Sequence, residues 1–362
     1  MRKTLLLTPA LLAALSLPAL GADTWISTIT SAWQTSGNWS TGVVPAATTP
    51  VAFQDSSTII TSVDLGGSFP GQAQGLTFGA YTGGTGFTIF SSGSQQLNLR
   101  AGGTPNGIQN DETATQTINA PILLYSSSGG TGSSASQTWN AASGALVFSG
   151  SYNAGLATVN LQGGTLTIDG GFNTTIGTGT GRGDIANGSL IKNGIGTLTL
   201  GGTHANAYTG TTTVNAGTIQ AGKVNAFGTG QLLLNGGTVN TGDYNQSFGT
   251  LNLQGNATLD LSPTGTNSLT FSDSHSINWA SGAVLTIDGW TSGDTLRFGS
   301  SGSALTAGQL SQIYFNITGD TQASIDPATG FITPVPEPST LAFCIVGGFG
   351  LTLAITSRRR KS

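Results

Sequence analysis

Between residues 144 and 278 a short motif returns about every twenty residues. Gly217-Thr218-Ile219-Gln220, Gly237-Thr238-Val239-Asn240 and Ala257-Thr258-Leu259-Asp260 stand in line, and so do the triplets before them, Val214-Asn215-Ala216, Leu234-Asn235-Gly236 and Gln254-Gly255-Asn256. Gly196-Thr197-Leu198-Thr199 sits one step earlier, and Gly144-Ala145-Leu146-Val147 and Gly164-Thr165-Leu166-Thr167 repeat the offset. Each unit alternates apolar and polar residues, which gives a strand one apolar face. Glycine punctuates the ends and supplies turns with positive φ. A strand of three or four residues cannot bury its own apolar side, so the units must stack on one another. A twenty-residue unit of strands and turns suits one coil of a parallel β-helix.

Several expectations follow. Leu166, Leu198, Ile219, Val239 and Leu259 should form one inner ladder, and Asn215 and Asn235 an amide ladder at a corner. Residues 169–188 read as an insertion between two groups of repeats, with Gly177 to Gly183 as a surface loop. Coils rising by about 4.8 Å would make a rod of roughly 60–70 Å. The N-terminal region, 23–143, and the stretch 279–333 read as β-rich caps flanking the repeats at 144–278. In the second cap, 306–313 reads as a short helix with Thr306 as its N-cap.

Composition supports an all-β solenoid. Only 7% of residues are charged and 56 are glycine, against averages near 25% charged and about 7% glycine. Glu occurs only at Glu112 and Glu337, so long solvated helices are not expected. The net charge of −4 argues against a nucleic-acid partner. A single cysteine, Cys344, rules out a disulfide scaffold.

The segment Ile191 to Gly202, continuing through Tyr208-Thr209-Gly210-Thr211-Thr212-Thr213-Val214-Asn215-Ala216-Gly217, resembles the autotransporter-associated β-strand repeat. Trp33-Gln34-Thr35-Ser36-Gly37-Asn38-Trp39-Ser40 and Gly75-Leu76-Thr77-Phe78-Gly79 resemble the leading region of such proteins. The resemblance implies a right-handed β-helical passenger. The residues after Pro334 read as a sorting tail rather than as the membrane barrel of an autotransporter, so the resemblance is not expected to carry over its route of secretion.

Both ends read as addresses. Met1-Arg2-Lys3-Thr4 followed by the apolar run Leu5 to Leu20 has the form of a secretory signal peptide over 1–22, cleaved after Gly21 or Ala22. The other end carries Pro336-Glu337-Pro338, an apolar stretch over 341–357 that is just long enough for a transmembrane helix, and Arg358-Arg359-Arg360-Lys361. The basic tail should stay in the cytoplasm. This tail, 334–362, resembles the PEP-CTERM sorting signal. That resemblance implies a Gram-negative bacterium and a membrane-embedded exosortase that grips the Pro-Glu-Pro. The expected partners are the Sec translocon, an exosortase-like enzyme and, after a transient stay in the inner membrane, exopolysaccharide at the cell surface. Six of the 11 basic residues lie in these two end segments, against one of the 15 acids. The body between them therefore carries a formal charge of −9.

Chemistry is sparse in that body. Glycoside hydrolysis needs two carboxylates a few ångströms apart, and no two acids recur at the twenty-residue period. Asp169 and Asp288 each end a Leu-Thr-Ile-Asp-Gly unit and read as turn formers. Asp111-Glu112 reads as a solvated turn. His204 and His275 are well separated and stand near no Cys or acidic cluster, so no metal, cofactor or catalytic residue is assigned. No Gly-x-Ser-x-Gly elbow lies between a strand and a helix. Arg182-Gly183-Asp184 spells a receptor-binding tripeptide that three residues can match by chance. Trp25, Trp33, Trp39, Trp139, Trp279 and Trp290 are expected in the core or the caps rather than as sugar platforms. The chain reads as a non-catalytic structural or adhesive protein of the cell surface or extracellular matrix. A polysaccharide-active enzyme or a carbohydrate-binding protein is the alternative.

Overall fold

The computed structural model describes residues 21–54, 59–66, 69–79, 85–93, 95–102, 106–125, 136–149, 156–317 and 321–335. The chain winds into a parallel β-solenoid with three sides. The first side is a ten-stranded sheet that runs from Asp23–Trp25 to Leu251–Leu253. The second side runs from Ser62–Asp64 to Ile313–Phe315. The third begins as five strands between Gly71–Ala73 and Ile185–Ala186. It resumes at Gln246–Ser247, Ser268–Phe271 and Thr295–Phe298.

Alternation places the core. In Thr197–Leu200 the leucines are buried and the threonines half-buried, and the same parity holds in Thr218–Ala221 and Thr238–Asn240. Leu198, Ile219, Val239 and Leu259 are Cα partners in turn, followed by Ile287 and Phe315. That part of the expected ladder is present. Leu166 belongs elsewhere: it pairs with Leu190 on the first side. Leu146 lies on the second side and pairs with Thr174, 28 positions on, so its offset of twenty from Leu166 joins two different faces.

The coils also extend beyond the stretch in which the repeat is legible. Parallel pairing starts at Asp23–Trp25 with Pro50–Gln54 and continues to Ile313–Phe315. Coil length varies. Partners on the first side are 32 residues apart at Leu76 and Ile108 but 19 apart at Leu232 and Leu251. Long coils use more residues per step. The second side has eleven parallel strands, which at about 4.8 Å per step makes a rod of about 48 Å, shorter than the expected length.

Residues 169–188 are an ordinary coil rather than an insertion. Thr174–Ile176 and Ile185–Ala186 continue the second and third sides. Of the glycine-rich loop only Thr178 to Thr180 is exposed, and Gly177, Gly181 and Gly183 are buried against neighbouring coils. Gly217 and Gly237 show why glycine recurs at the corner. Both have φ near +66°, and a Cβ on Gly237 would stand 2.7 Å from the Gly217 carbonyl oxygen.

The two ends are closed differently. Near the N-terminus, Trp39 packs edge-on against Trp25 and Trp33 with centroids at 5.0 and 4.8 Å. Its segment bridges antiparallel to Trp25, so the outer edge of the first strand is occupied. At the other end Thr321–Ile325 and Phe331–Pro334 form an antiparallel hairpin that pairs with Ile313–Phe315 and Thr295–Phe298. The helix is Ala307–Leu310, shorter than expected, because Ile313 already opens a strand. Thr306 caps it in a reciprocal box with Gln309.

Candidate functional site

The expected sorting residues Pro336, Glu337, Pro338, Arg358, Arg359 and Arg360 lie outside the described residues, as do the span at 341–357 and the signal sequence up to Leu20. Among the described residues, no helix is long and apolar enough to cross a membrane. The first strand starts at Asp23. Its buried carboxylate accepts hydrogen bonds from Ser40 Oγ (2.9 Å), Thr41 N (3.1 Å) and Thr41 Oγ1 (2.9 Å).

Arg182-Gly183-Asp184 is folded onto itself. Arg182 grips the Asp184 carboxylate with Nη2 (2.7 Å) and Nε (3.2 Å), and Thr158 N donates to the same group. Lys223 Nζ donates to the Gly183 carbonyl at 2.8 Å. Asp184 is 5% exposed. Burial raises its carboxyl, but the Arg182 hydrogen bonds and charge outweigh that and hold it below the usual carboxylate range. The tripeptide is thus a corner brace between coils and does not present its aspartate to a receptor.

Glu112 is not solvated as the sequence suggests. It is 2% exposed, because Gly144 of the following coil lies directly on the turn. Trp25, Trp33, Trp39 and Trp139 are fully buried, as expected. Trp279 and Trp290 are partly exposed. Trp279 donates Nε1 to the Leu251 carbonyl at 2.9 Å and closes the edge of the first side. His204 is an exposed residue whose Nδ1 lies 3.0 Å from Thr203 Oγ1. His275 lines a cavity of about 430 Å³ beside the short helix. Among the described residues, no three His, Cys, Asp or Glu side chains come together as a metal site.

The outer surface of the second side is the most ordered polar feature. Thr197, Thr218, Thr238, Thr258 and Thr286 follow one another as Cα partners and end at Tyr314. Two residues along each strand runs a second column: Thr175, Thr199, Gln220, Asn240, Asp260 and Asp288. Every charged residue on the described strands of this side is an aspartate. At the corner before these strands the amide ladder is present and longer than expected. Asn235 Nδ2 donates to Asn215 Oδ1, and Asn215 Nδ2 to Asn193 Oδ1, both at 2.6 Å.

The second column brings together two acids that the sequence reading kept apart. Asp260 and Asp288 are direct partners on adjacent strands. They line a cavity of about 430 Å³ with Pro263, Gly289, Trp290 and Asn316. Asp260 Oδ1 accepts from Ser262 N (3.0 Å), and Asp288 Oδ1 from Gly289 N (2.9 Å). Both acids end a Thr-apolar-Asp unit, which is the sequence signal. A search at a period of twenty misses it because this coil has 28 residues. The cavity offers carboxylate and amide oxygens beside one indole. Among the described residues it has no basic side chain to neutralise an acidic substrate or to serve as a lyase base.

Residues 190–221 match the passenger-associated-transport-repeat family, over the same strands that resemble the autotransporter-associated repeat. The chain is also similar to the adhesin BmaC autotransporter of Brucella suis biovar 1 (strain 1330), with 37% identity over 153 residues. That match takes in 39% of this chain and 4% of the adhesin, so the chain spans a small fraction of its curated relative. No solved structure matches the chain. The chain therefore carries β-strand repeats of the kind associated with autotransporter passengers.

Proposed function

We propose that this protein is an exported rod of the cell surface or extracellular matrix that acts in adhesion and performs no turnover. The observation that carries this reading is the passenger-type repeat set in a continuous solenoid, with an adhesin as relative. A stack of coils supports this reading because it gives a long polar surface with few charges, and a body charge of −9 favours solubility. A strain lacking the protein should attach to its matrix less than the parent and recover when the full chain is restored. Normal attachment would refute the adhesive role. Turnover of a polysaccharide by the purified protein, abolished by one point substitution, would refute the non-catalytic one.

Delivery is proposed to use the Sec translocon, through the signal peptide at 1–22, and then an exosortase-like enzyme acting at Pro336-Glu337-Pro338. Prolines on both sides of a residue favour an extended backbone, which would leave the Glu337 carboxylate open to an enzyme's grip. The membrane helix and Arg358, Arg359 and Arg360 would hold the chain in place until then. Glu337→Ala, or removal of residues 358–361, should shift the tagged protein from the surface fraction into the inner membrane or remove it from both. An unchanged distribution would exclude this sorting route without touching the adhesive role.

A further inference from the structure

The polar column on the second side ends in a ladder whose central junction sets two carboxyl side chains on neighbouring strands. Asn240, Asp260 and Asp288 succeed one another on adjacent strands, and Asn316 follows directly after the next strand, Ile313–Phe315. Asn240 Nδ2 donates to Asp260 Oδ2 at 2.6 Å, and Asn316 Nδ2 to Asp288 Oδ1 at 3.2 Å. Between those bonded junctions two carboxylates face each other. Like charges directly opposite destabilise a sheet, and among the described residues no Lys, Arg or His lines the cavity they share. Among the described residues no donor reaches Asp288 Oδ2. Trp290 walls the same cavity, its plane set by edge-on contact with Phe315 at a centroid distance of 4.8 Å.

We propose that this cavity binds an amine-bearing sugar unit of an extended glycan laid along the rod axis. Carboxylates on neighbouring strands lie about 4.8 Å apart. One ammonium between them can donate charge-assisted bonds to both and relieve the repulsion. The indole complements the rest of such a sugar, because its face attracts a cation and accepts an apolar ring surface. Beyond the cavity the column offers Asn240, Gln220 and Thr199, one polar side chain per coil, to the hydroxyls of the following units. The cavity has the size of a small-ligand site. A divalent cation suits it poorly, since Ca²⁺ takes six to eight oxygens and among the described residues no third acid or histidine joins the pair. A neutral sugar would leave the two charges unrelieved.

The biological sense of this site rests on the adhesive reading above, but its test does not. The purified exported protein is titrated with short glucosamine oligomers and with N-acetylated oligomers of the same length, followed by calorimetry and tryptophan fluorescence. The glucosamine oligomer should bind about tenfold or more tightly than the acetylated one. The isosteric pair D260N/D288N should lose about tenfold or more of that affinity, and Trp290→Leu should weaken it several-fold. D288N alone, matched to wild type by its melting curve, serves if the double variant does not fold. Equal affinity for the two oligomers, or binding that survives D260N/D288N, overturns the proposal. Ca²⁺ that saturates the site and excludes the oligomer also overturns it. Any of these failures leaves the adhesive role standing, whereas normal attachment by a strain lacking the protein removes that role and leaves the site.

Discussion

Lys192 and Lys223 are the only lysines between the two end segments, and both are buried. Lys192 points inward on the first side, between Ile168 and Val214, and its Nζ donates to the Gly194 carbonyl. Burial pushes each lysine down to about 8, with Asp169 and Asp184 respectively pulling back less strongly. The folded state therefore releases these protons before the unfolded chain does at about 10.5. Below pH 8 both states are protonated and the cost of burying the charge is fully present. Between about 8 and 10.5 the unfolded chain binds more protons, so stability rises with pH by up to about 3 kcal/mol per lysine. Urea unfolding across this window should show the rise, and the gap between Lys192→Met and wild type should change with it. A flat profile would mean that water reaches the ammonium groups. The parity of Ser189-Leu190-Ile191-Lys192 places Lys192 beside Leu190 on the inner face, so its burial was legible in the sequence. The burial of Lys223 and of Asp184 was not, because both lie between strands, where the alternation does not describe the packing.

Strands and corners repeat more faithfully than coil lengths do. Phe227, Phe248, Phe271 and Phe298 form a stack inside the third side, with centroids 5.1, 5.0 and 4.8 Å apart and planes within 22°. Their sequence intervals, 21, 23 and 27, grow along the chain and hide the column from a search at a fixed period. Phe271 has a stacked neighbour on each side, so Phe271→Ala should cost about 3–5 kcal/mol in denaturant unfolding. A loss below about 1 kcal/mol would show that the neighbouring rings close the gap. The Asn215–Asn235 ladder and the Leu198-to-Leu259 column could be read in advance because they lie where coils keep to 20 or 21 residues. Leu166 was placed on the wrong face for the converse reason: its neighbouring coils have 24 and 29 residues, and an offset of twenty crosses a corner.

A solenoid exposes sheet edges only at its two ends, and there this molecule departs from its own repeat. The tryptophan cluster covers the first strand of the first side and an antiparallel hairpin pairs the last strands of the second and third sides, so none of these offers a free parallel edge to a second copy. Gln309 and Gln312 complete the second closure. Gln309 Nε2 donates to the Ser274 and Ile277 carbonyls and Gln312 Nε2 to those of Ala280 and Ala283, all at 2.8 Å. Removing residues 321–335 should bare the strands Thr295–Phe298 and Ile313–Phe315 and convert the protein to end-to-end oligomers, read by light scattering after size-exclusion chromatography. A truncated chain that stays monomeric would show that the glutamine contacts and the short helix suffice to block the end.

The amino-acid sequence alone determined that this chain must be an all-β stack with polar outer faces. Alternation, glycine turns and the dearth of charge are local properties, and each acts within a few residues. Tertiary structure decided which face each strand joins, how many residues each coil spends, and which side chains meet across coils. Those depend on turns that lengthen or shorten between strands. Asp260 and Asp288 became partners only because a 28-residue coil returned the chain to the register that a twenty-residue coil would have reached sooner.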